Sequence, residues 1–210
     1  MIIGVLDYGA GNLKNVCRAT AHLGYDFKLV TTPDQVSSVD KLIIPGVGAF
    51  KVAMNQLHEQ NLVEPIKVAA AKGVPMLGVC LGMQLLFEHS SEFGHTEGLG
   101  LFKGSVELIP SVGASGEKLK VPHIGWNELL IDNADAQVIS SVKADDAVYF
   151  VHSYQAKGYE PQDLVAHCLY DGLVLPAIVQ KDNVIGCQFH PEKSGEVGLG
   201  ILKNFLGDIS

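Results

Sequence analysis

Two short segments of this 210-residue chain carry residue types that could make and break a covalent bond. The first is Gly78-Val79-Cys80-Leu81-Gly82, a G-x-C-x-G placed after the apolar run 76–79. A strand that turns sharply into a helix, with the nucleophile at the corner, has this pattern; here cysteine stands where serine is commoner. Such a corner holds its nucleophile in strained backbone, and a β-carbon on either flank would crowd the adjoining strand or helix. The sulfur then stands at the sheet's carboxyl edge beside a helix N-terminus, whose partial positive charge favours thiolate. The N–H of Leu81 is free to donate to a developing oxyanion.

The second segment is His190-Pro191-Glu192, at the end of the apolar run 185–189. Pro191 stops ladder pairing. Glu192 follows His190 closely enough to bond its ring and fix the tautomer. Cysteine, histidine and carboxylate together form a nucleophile, a base and an orienter. Alone, the first segment is a buried cysteine in a corner and the second a loop. Together they make Cys80, His190 and Glu192 the catalytic candidates. His152 is a rival base, but no carboxylate stands two residues on, and it reads as structural or partner-facing.

These side chains need a scaffold that brings distant segments to one edge. Strands are expected at 2–7, 26–31, 40–44 and 76–79, with helices at 12–23, 49–59 and 62–72 between them and another from Leu81 through Phe87. Residues 88–92 are polar and read as a solvated helix end; residues 94–100 form a glycine-rich loop. Strands follow at 102–109, 148–154, 164–169 and 176–180, with a polar turn at 112–117. Asp182-Asn183 turns a hairpin into a strand at 184–189, and a helix closes the chain at 196–208. Early βαβα alternation and late hairpins give an α/β fold: a mixed, mostly parallel central sheet with helices on both faces, in one domain over 1–210. Gly9-Ala10-Gly11 is not a dinucleotide loop, because the third glycine of that motif would fall at Lys14.

Composition narrows the class. Hydrophobic residues make up 47% and charged residues 18%, as in a globular chain. A net charge of −8 argues against nucleic-acid or anionic-membrane partners. The N-terminus lacks a basic leader, no apolar run is long enough to span a bilayer, and Cys17, Cys80, Cys168 and Cys187 show no C-x-x-C spacing. A cytoplasmic protein with free thiols is expected.

Residues 78–82 and Gln188-Phe189-His190-Pro191-Glu192 resemble the two signatures of the class I (triad) glutamine amidotransferases, and Pro45-Gly46-Val47-Gly48 resembles that family's oxyanion loop. By itself the loop could be an ordinary strand-to-helix turn; its glycines allow a peptide orientation that aims an N–H at a substrate oxygen. The resemblance spans nearly the whole chain. It implies a flavodoxin-like fold and hydrolysis of L-glutamine through a cysteine thioester, with no cofactor and no metal. It also implies an oxyanion hole of Val47, Gly48 and Leu81. Gln84 and Glu92 match positions that hold the amino-acid end of glutamine; the residues alone give a helix face and a solvated cluster.

Three further stretches, Asp7-Tyr8-Gly9-Ala10-Gly11-Asn12, Pro122-His123-Ile124-Gly125-Trp126-Asn127 and Tyr149-Phe150-Val151-His152-Ser153-Tyr154, are similar to one branch of the family. That branch is the glutaminase subunits of imidazole glycerol phosphate synthase, in histidine biosynthesis. The branch implies a heterodimer with a (β/α)₈-barrel cyclase that makes imidazole glycerol phosphate and aminoimidazole carboxamide ribonucleotide. His123, Trp126, Asn127, Tyr149 and Lys193 match positions near that interface; the residues alone give core aromatics and a solvated lysine. The alternatives are the glutaminase of another synthase, for anthranilate or pyridoxal phosphate, and a non-enzymatic glutamine sensor.

Overall fold

Four short β-branched and leucine-rich runs, Ile3–Leu6, Lys41–Ile44, Met76–Val79 and Val184–Cys187, are buried along their whole length. Strands covered on both faces are the parallel kind. In the computed structural model, which describes residues 1–207, they form the middle of an eight-stranded sheet. Its order runs Phe27–Val30, Ile3–Leu6, Lys41–Ile44, Met76–Val79, Val184–Cys187, Leu173–Lys181, Leu164–Tyr170, Leu130–Ile131. The first five strands pair in parallel and the last three antiparallel. The mixed α/β sheet is as expected, and Asp182-Asn183 does turn the hairpin into the strand that carries the base.

Side chains alternate between two apolar layers. Ile3, Val5, Ile43, Leu77 and Val79 face one layer, which the helices Leu13–His22 and Gly195–Leu206 cover. Leu6, Leu42, Ile44 and Met76 face the other, which the helices Phe50–Glu59 and Val63–Ala71 cover. Lys41, almost fully buried, donates from Nζ to the carbonyl oxygen of Phe205 at 2.7 Å and to that of Gly207, tying the last helix to the sheet. The closing helix ends at Leu206 rather than 208, and residue 208 lies outside the described residues.

Two small sheets flank this frame. His123–Glu128 pairs antiparallel with Ala147–His152 as a two-stranded ribbon on the first layer. Tyr154–Lys157, Phe102–Leu108, Phe87–Ser90 and Thr96–Glu97 form a four-stranded sheet over the second. Here the expected elements need correction. The helix after Cys80 stops at Leu85, and Phe87–Ser90 is a strand beside Phe102–Leu108. Leu86 and Phe87 are buried as a helix face would be, but the partner strand supplies the cover. The expected strand 148–154 is broken at Ser153 and serves both small sheets. A short helix at Pro33–Val36 was not anticipated.

Candidate active site

Every parallel strand ends at the same edge, and the loops that leave that edge hold the chemistry. Cys80 follows the strand Met76–Val79 and begins the helix Leu81–Leu85. Its backbone has φ 54° and ψ −108°, a region that side-chain-bearing residues seldom occupy. Its N–H is tied to the Cys187 carbonyl at 2.7 Å. The flanking glycines are what make the corner possible. A β-carbon on Gly78 would meet Gly82 O and Met83 N at 2.7 Å, and one on Gly82 would fall on the Ile44 carbonyl oxygen.

The candidate base follows the neighbouring strand. Beyond Val184–Cys187 the backbone of Gln188 donates to Ala177 O at 2.9 Å, and that of His190 to Tyr149 O at 3.1 Å. Pro191–Lys193 then turns in a single 3₁₀ step that swings Glu192 back under the ring. His190 Nδ1 and Glu192 Oε1 are 2.7 Å apart, with both side chains fully buried. Burial opposes a charge on His190, but the Cys80 sulfur and the Glu192 carboxylate outweigh it and raise its pKa to about 9. Burial likewise works against Glu192, but the His190 contact dominates and its carboxyl lies below the usual range. The pair is thus an imidazolium–carboxylate at neutral pH. Nε2, the ring atom left for the nucleophile, is buried and makes no hydrogen bond of standard geometry.

A cavity of about 340 Å³ opens on the sulfur. Besides Cys80 it is lined by Val47, Gly48, Leu81, Gln84, Glu92, Pro122 and Val151–Tyr154. Gly48 has φ +113°, so only glycine fits this bend of the loop. Glu92, expected in a solvated cluster, is nearly buried; its Oε2 accepts from the Phe50 N–H at 2.6 Å, and its side chain lines the cavity. Gln84 is buried too, and its Nε2 donates to Tyr154 O at 3.2 Å and to Gln188 Oε1 at 3.1 Å. Its carbonyl oxygen is the end left to meet a ligand. The arrangement puts the candidate nucleophile in the wall of a small chamber, beside Val47, Gly48 and Leu81, with the hydrogen-bonded His190–Glu192 pair at the end of the neighbouring strand, a set of groups suited to hydrolysis of an amide.

The family model for class-I glutamine amidotransferases matches residues 4–209. The chain belongs to this family. Among curated relatives, this amidotransferase is 46% identical to "Imidazole glycerol phosphate synthase subunit HisH 1" of Legionella pneumophila (strain Lens), over 97% of the chain and 98% of the relative. It is 48% identical to the HisH subunit of Caldanaerobacter subterraneus subsp. tengcongensis, over 97% of each. Among solved structures it is similar to PurLQS from Thermotoga maritima (TM-score 0.73, 19% identity, 98% and 97% covered) and to the glutaminase domain of Trypanosoma brucei CTPS with bound acivicin (TM-score 0.67, 15% identity, 100% and 96% covered). At those identities the likeness is one of fold.

The remaining expected residues of the amidotransferase divide. Trp126 is 59% exposed and lies edge-on to the half-buried Tyr149, its register partner in the ribbon. Lys193 is exposed as well, and Asn127 donates to Leu169 O at 2.9 Å. His123 differs. It is 2% exposed, lies between the rings of Phe150 and Tyr170, and bonds His152 from Nδ1 at 3.2 Å. A partner docking on the ribbon would not touch its side chain. His152, the rival base, lines the cavity and donates from Nδ1 to Tyr154 O at 2.8 Å, with no carboxylate on its ring among the described residues. Burial pushes both histidines down to about 4.

Three residues of the site were not singled out from sequence. Asn12 donates from Nδ2 to Glu192 Oε1 at 2.7 Å and lies 3.1 Å from His190 Nδ1. Because Nδ1 gives its proton to Glu192, Asn12 acts through the carboxylate. Tyr8 is buried under the Pro45–Gly48 loop and donates to Pro45 O at 2.8 Å. Gln188 lies beneath the sulfur. The signal for Asn12 and Tyr8 was present in the 7–12 turn, a glycine-rich stretch leaving the same sheet edge.

Proposed function

We propose that this chain is the glutaminase subunit of an imidazole glycerol phosphate synthase. The observation that carries the reading is Cys80 in the wall of a small cavity with the buried His190–Glu192 pair at the end of the adjacent strand, in a chain that matches HisH relatives over 97% of its length.

In this reading the Cys80 thiolate attacks the side-chain carboxamide of glutamine. The tetrahedral oxyanion accepts hydrogen bonds from the N–H of Leu81 and from the Val47–Gly48 segment; one such donor is worth about 3–4 kcal/mol in the transition state. His190, already charged, gives its proton to the leaving nitrogen and ammonia departs. Water, deprotonated by the now neutral His190, cleaves the glutamyl thioester, releasing glutamate and restoring the thiolate–imidazolium pair. Glu192 holds the ring and stabilises its charge throughout, and Asn12 holds Glu192. Gln84 and Glu92 take the amino-acid end of the substrate, Glu92 through its ammonium.

Free ammonia in water at neutral pH becomes ammonium, which is not a nucleophile. A glutaminase that serves a synthesis therefore works against a synthase. Here that partner is a (β/α)₈-barrel cyclase in a 1:1 complex, docked on the face of Trp126, Tyr149 and Lys193, with Asn127 at its margin.

The test mixes the chain with a cyclase subunit of this synthase and follows glutamine-dependent formation of imidazole glycerol phosphate. Wild-type protein supports it, whereas Cys80→Ala keeps the fold and supports synthesis only from added ammonium salts. Normal glutamine-dependent synthesis by Cys80→Ala would sink the assignment. Glutamine hydrolysis without any coupling to the cyclase would point to another synthase instead.

A further inference from the structure

Gln188 has no exposed surface, and a buried amide must find partners for its donors and its acceptor. Its Oε1 accepts from Gln84 Nε2 at 3.1 Å. Gln84 Nε2 is anchored in turn by its second proton, on Tyr154 O at 3.2 Å. This chain leaves no ambiguity over which end of the Gln188 amide is which: the oxygen faces Gln84, so the NH₂ faces the other way. There the partner of Nε2 is the Cys80 sulfur, at 3.9 Å. The backbone of Gln188 is itself fixed, through Ala177 O, in the middle of the sheet.

We propose that Gln188 is a positioning residue that holds the Cys80 sulfur toward the cavity and favours its thiolate by donating an amide N–H, with Gln84 setting the direction of that amide. This rests on the glutaminase reading and deepens it. A thiolate accepts a hydrogen bond far better than a thiol, so a rigid donor on the sulfur biases the pair toward the anion. The other groups near the sulfur include His190 from the strand end, with Glu192 bonded to it, and the Tyr8 hydroxyl from the 7–12 turn. Glu92, His152 and Tyr154 line the same cavity, and the Pro45–Gly48 loop contributes no charged side chain. Gln188 is thus the neutral side chain that donates to the sulfur, and its effect does not change sign with pH. The inference also gives Gln84 a second duty: its amide protons are committed to Tyr154 and Gln188, so it acts on the nucleophile through Gln188 while its oxygen faces the substrate.

The experiment is alkylation of the full chain by iodoacetamide across a pH series, with modification of the Cys80 peptide quantified by mass spectrometry. It needs neither glutamine nor a partner. In Gln188→Met, which keeps the bulk and removes the donor, the midpoint of the rate profile rises by about half to one pH unit. In Gln188→Glu, which keeps the acceptor for Gln84 but puts negative charge on the sulfur, it rises further. With the cyclase present, both variants lose kcat with KM for glutamine held within about twofold. Midpoints unchanged in the folded variants would overturn the proposal, whatever the loss of activity. Should both variants fail to fold, the wild type carries the test: the side-chain amide resonances of Gln188 follow the Cys80 titration, and flat resonances would overturn it. Failure of glutamine-dependent turnover alongside shifted alkylation profiles would remove the glutaminase reading and leave the Gln188 contact standing.

Discussion

Cys80 is held at φ 54° by its neighbours, not by its own preference. The strongest constraint is at Gly82, where any β-carbon would overlap the Ile44 carbonyl of the adjacent strand. Gly82→Ala is therefore expected to cost at least ~3 kcal/mol, since backbone rather than a flexible side chain must give way. Urea denaturation of wild type and variant measures this; a change under ~1 kcal/mol would mean that the corner can relax. The same residue shows why the triad could be read from sequence. Its chemistry is flanked by residues with local meaning: glycines that permit a sharp corner, and a proline that ends a strand. For Asn12 the glycine-rich turn around it marks only a loop at the sheet edge. Its contact with Glu192 joins positions 180 residues apart, and no local pattern specifies that contact. Gln188 sat inside a recognised motif, yet its role depends on Gln84, which lies 104 positions away.

At the level of elements, the sequence misled where two kinds of cover were equivalent. Leu85, Leu86 and Phe87 bury themselves equally well as one helix face or as a helix end followed by a strand, and periodicity could not separate these. The strand Phe102–Leu108, available only in the fold, decided for the second. The ribbon of His123–Glu128 and Ala147–His152 is the element whose energetics are most sensitive to acid. His123 and His152 are register partners there, and each is held near pKa 4 against an unfolded value of 6.5. Their folded values are depressed, so the unfolded chain takes up protons first as pH falls. Their contribution to stability is whole above pH 6.5 and is lost on the way down to about 4. The urea midpoint is expected to drop steeply over that window, and His152→Gln, which can still donate to Tyr154 O, should flatten the drop. An equally steep drop in the variant would assign the acid sensitivity elsewhere.

Across the whole molecule, the sheet edge that holds the chemistry is flanked by a ribbon whose outer face is aromatic. Ile124 and Trp126 are both more than half exposed on it, while the backbone of Tyr149 carries the hydrogen bond from His190. If the cyclase docks there, Trp126→Ala is expected to weaken the complex by roughly 2 kcal/mol or more, with unfolding unchanged. Titration calorimetry against the cyclase reads the first and urea denaturation the second; unaltered affinity would move the interface off the ribbon. The position of Val184–Cys187 has a separate consequence. Among the described residues this strand is the last in chain order, yet it fills a slot in the centre of the sheet, between Met76–Val79 and Leu173–Lys181. A polypeptide interrupted before it would have a gap through its middle and a sulfur with no imidazole beside it. Chains cut short of this strand are therefore expected to be silent toward glutamine.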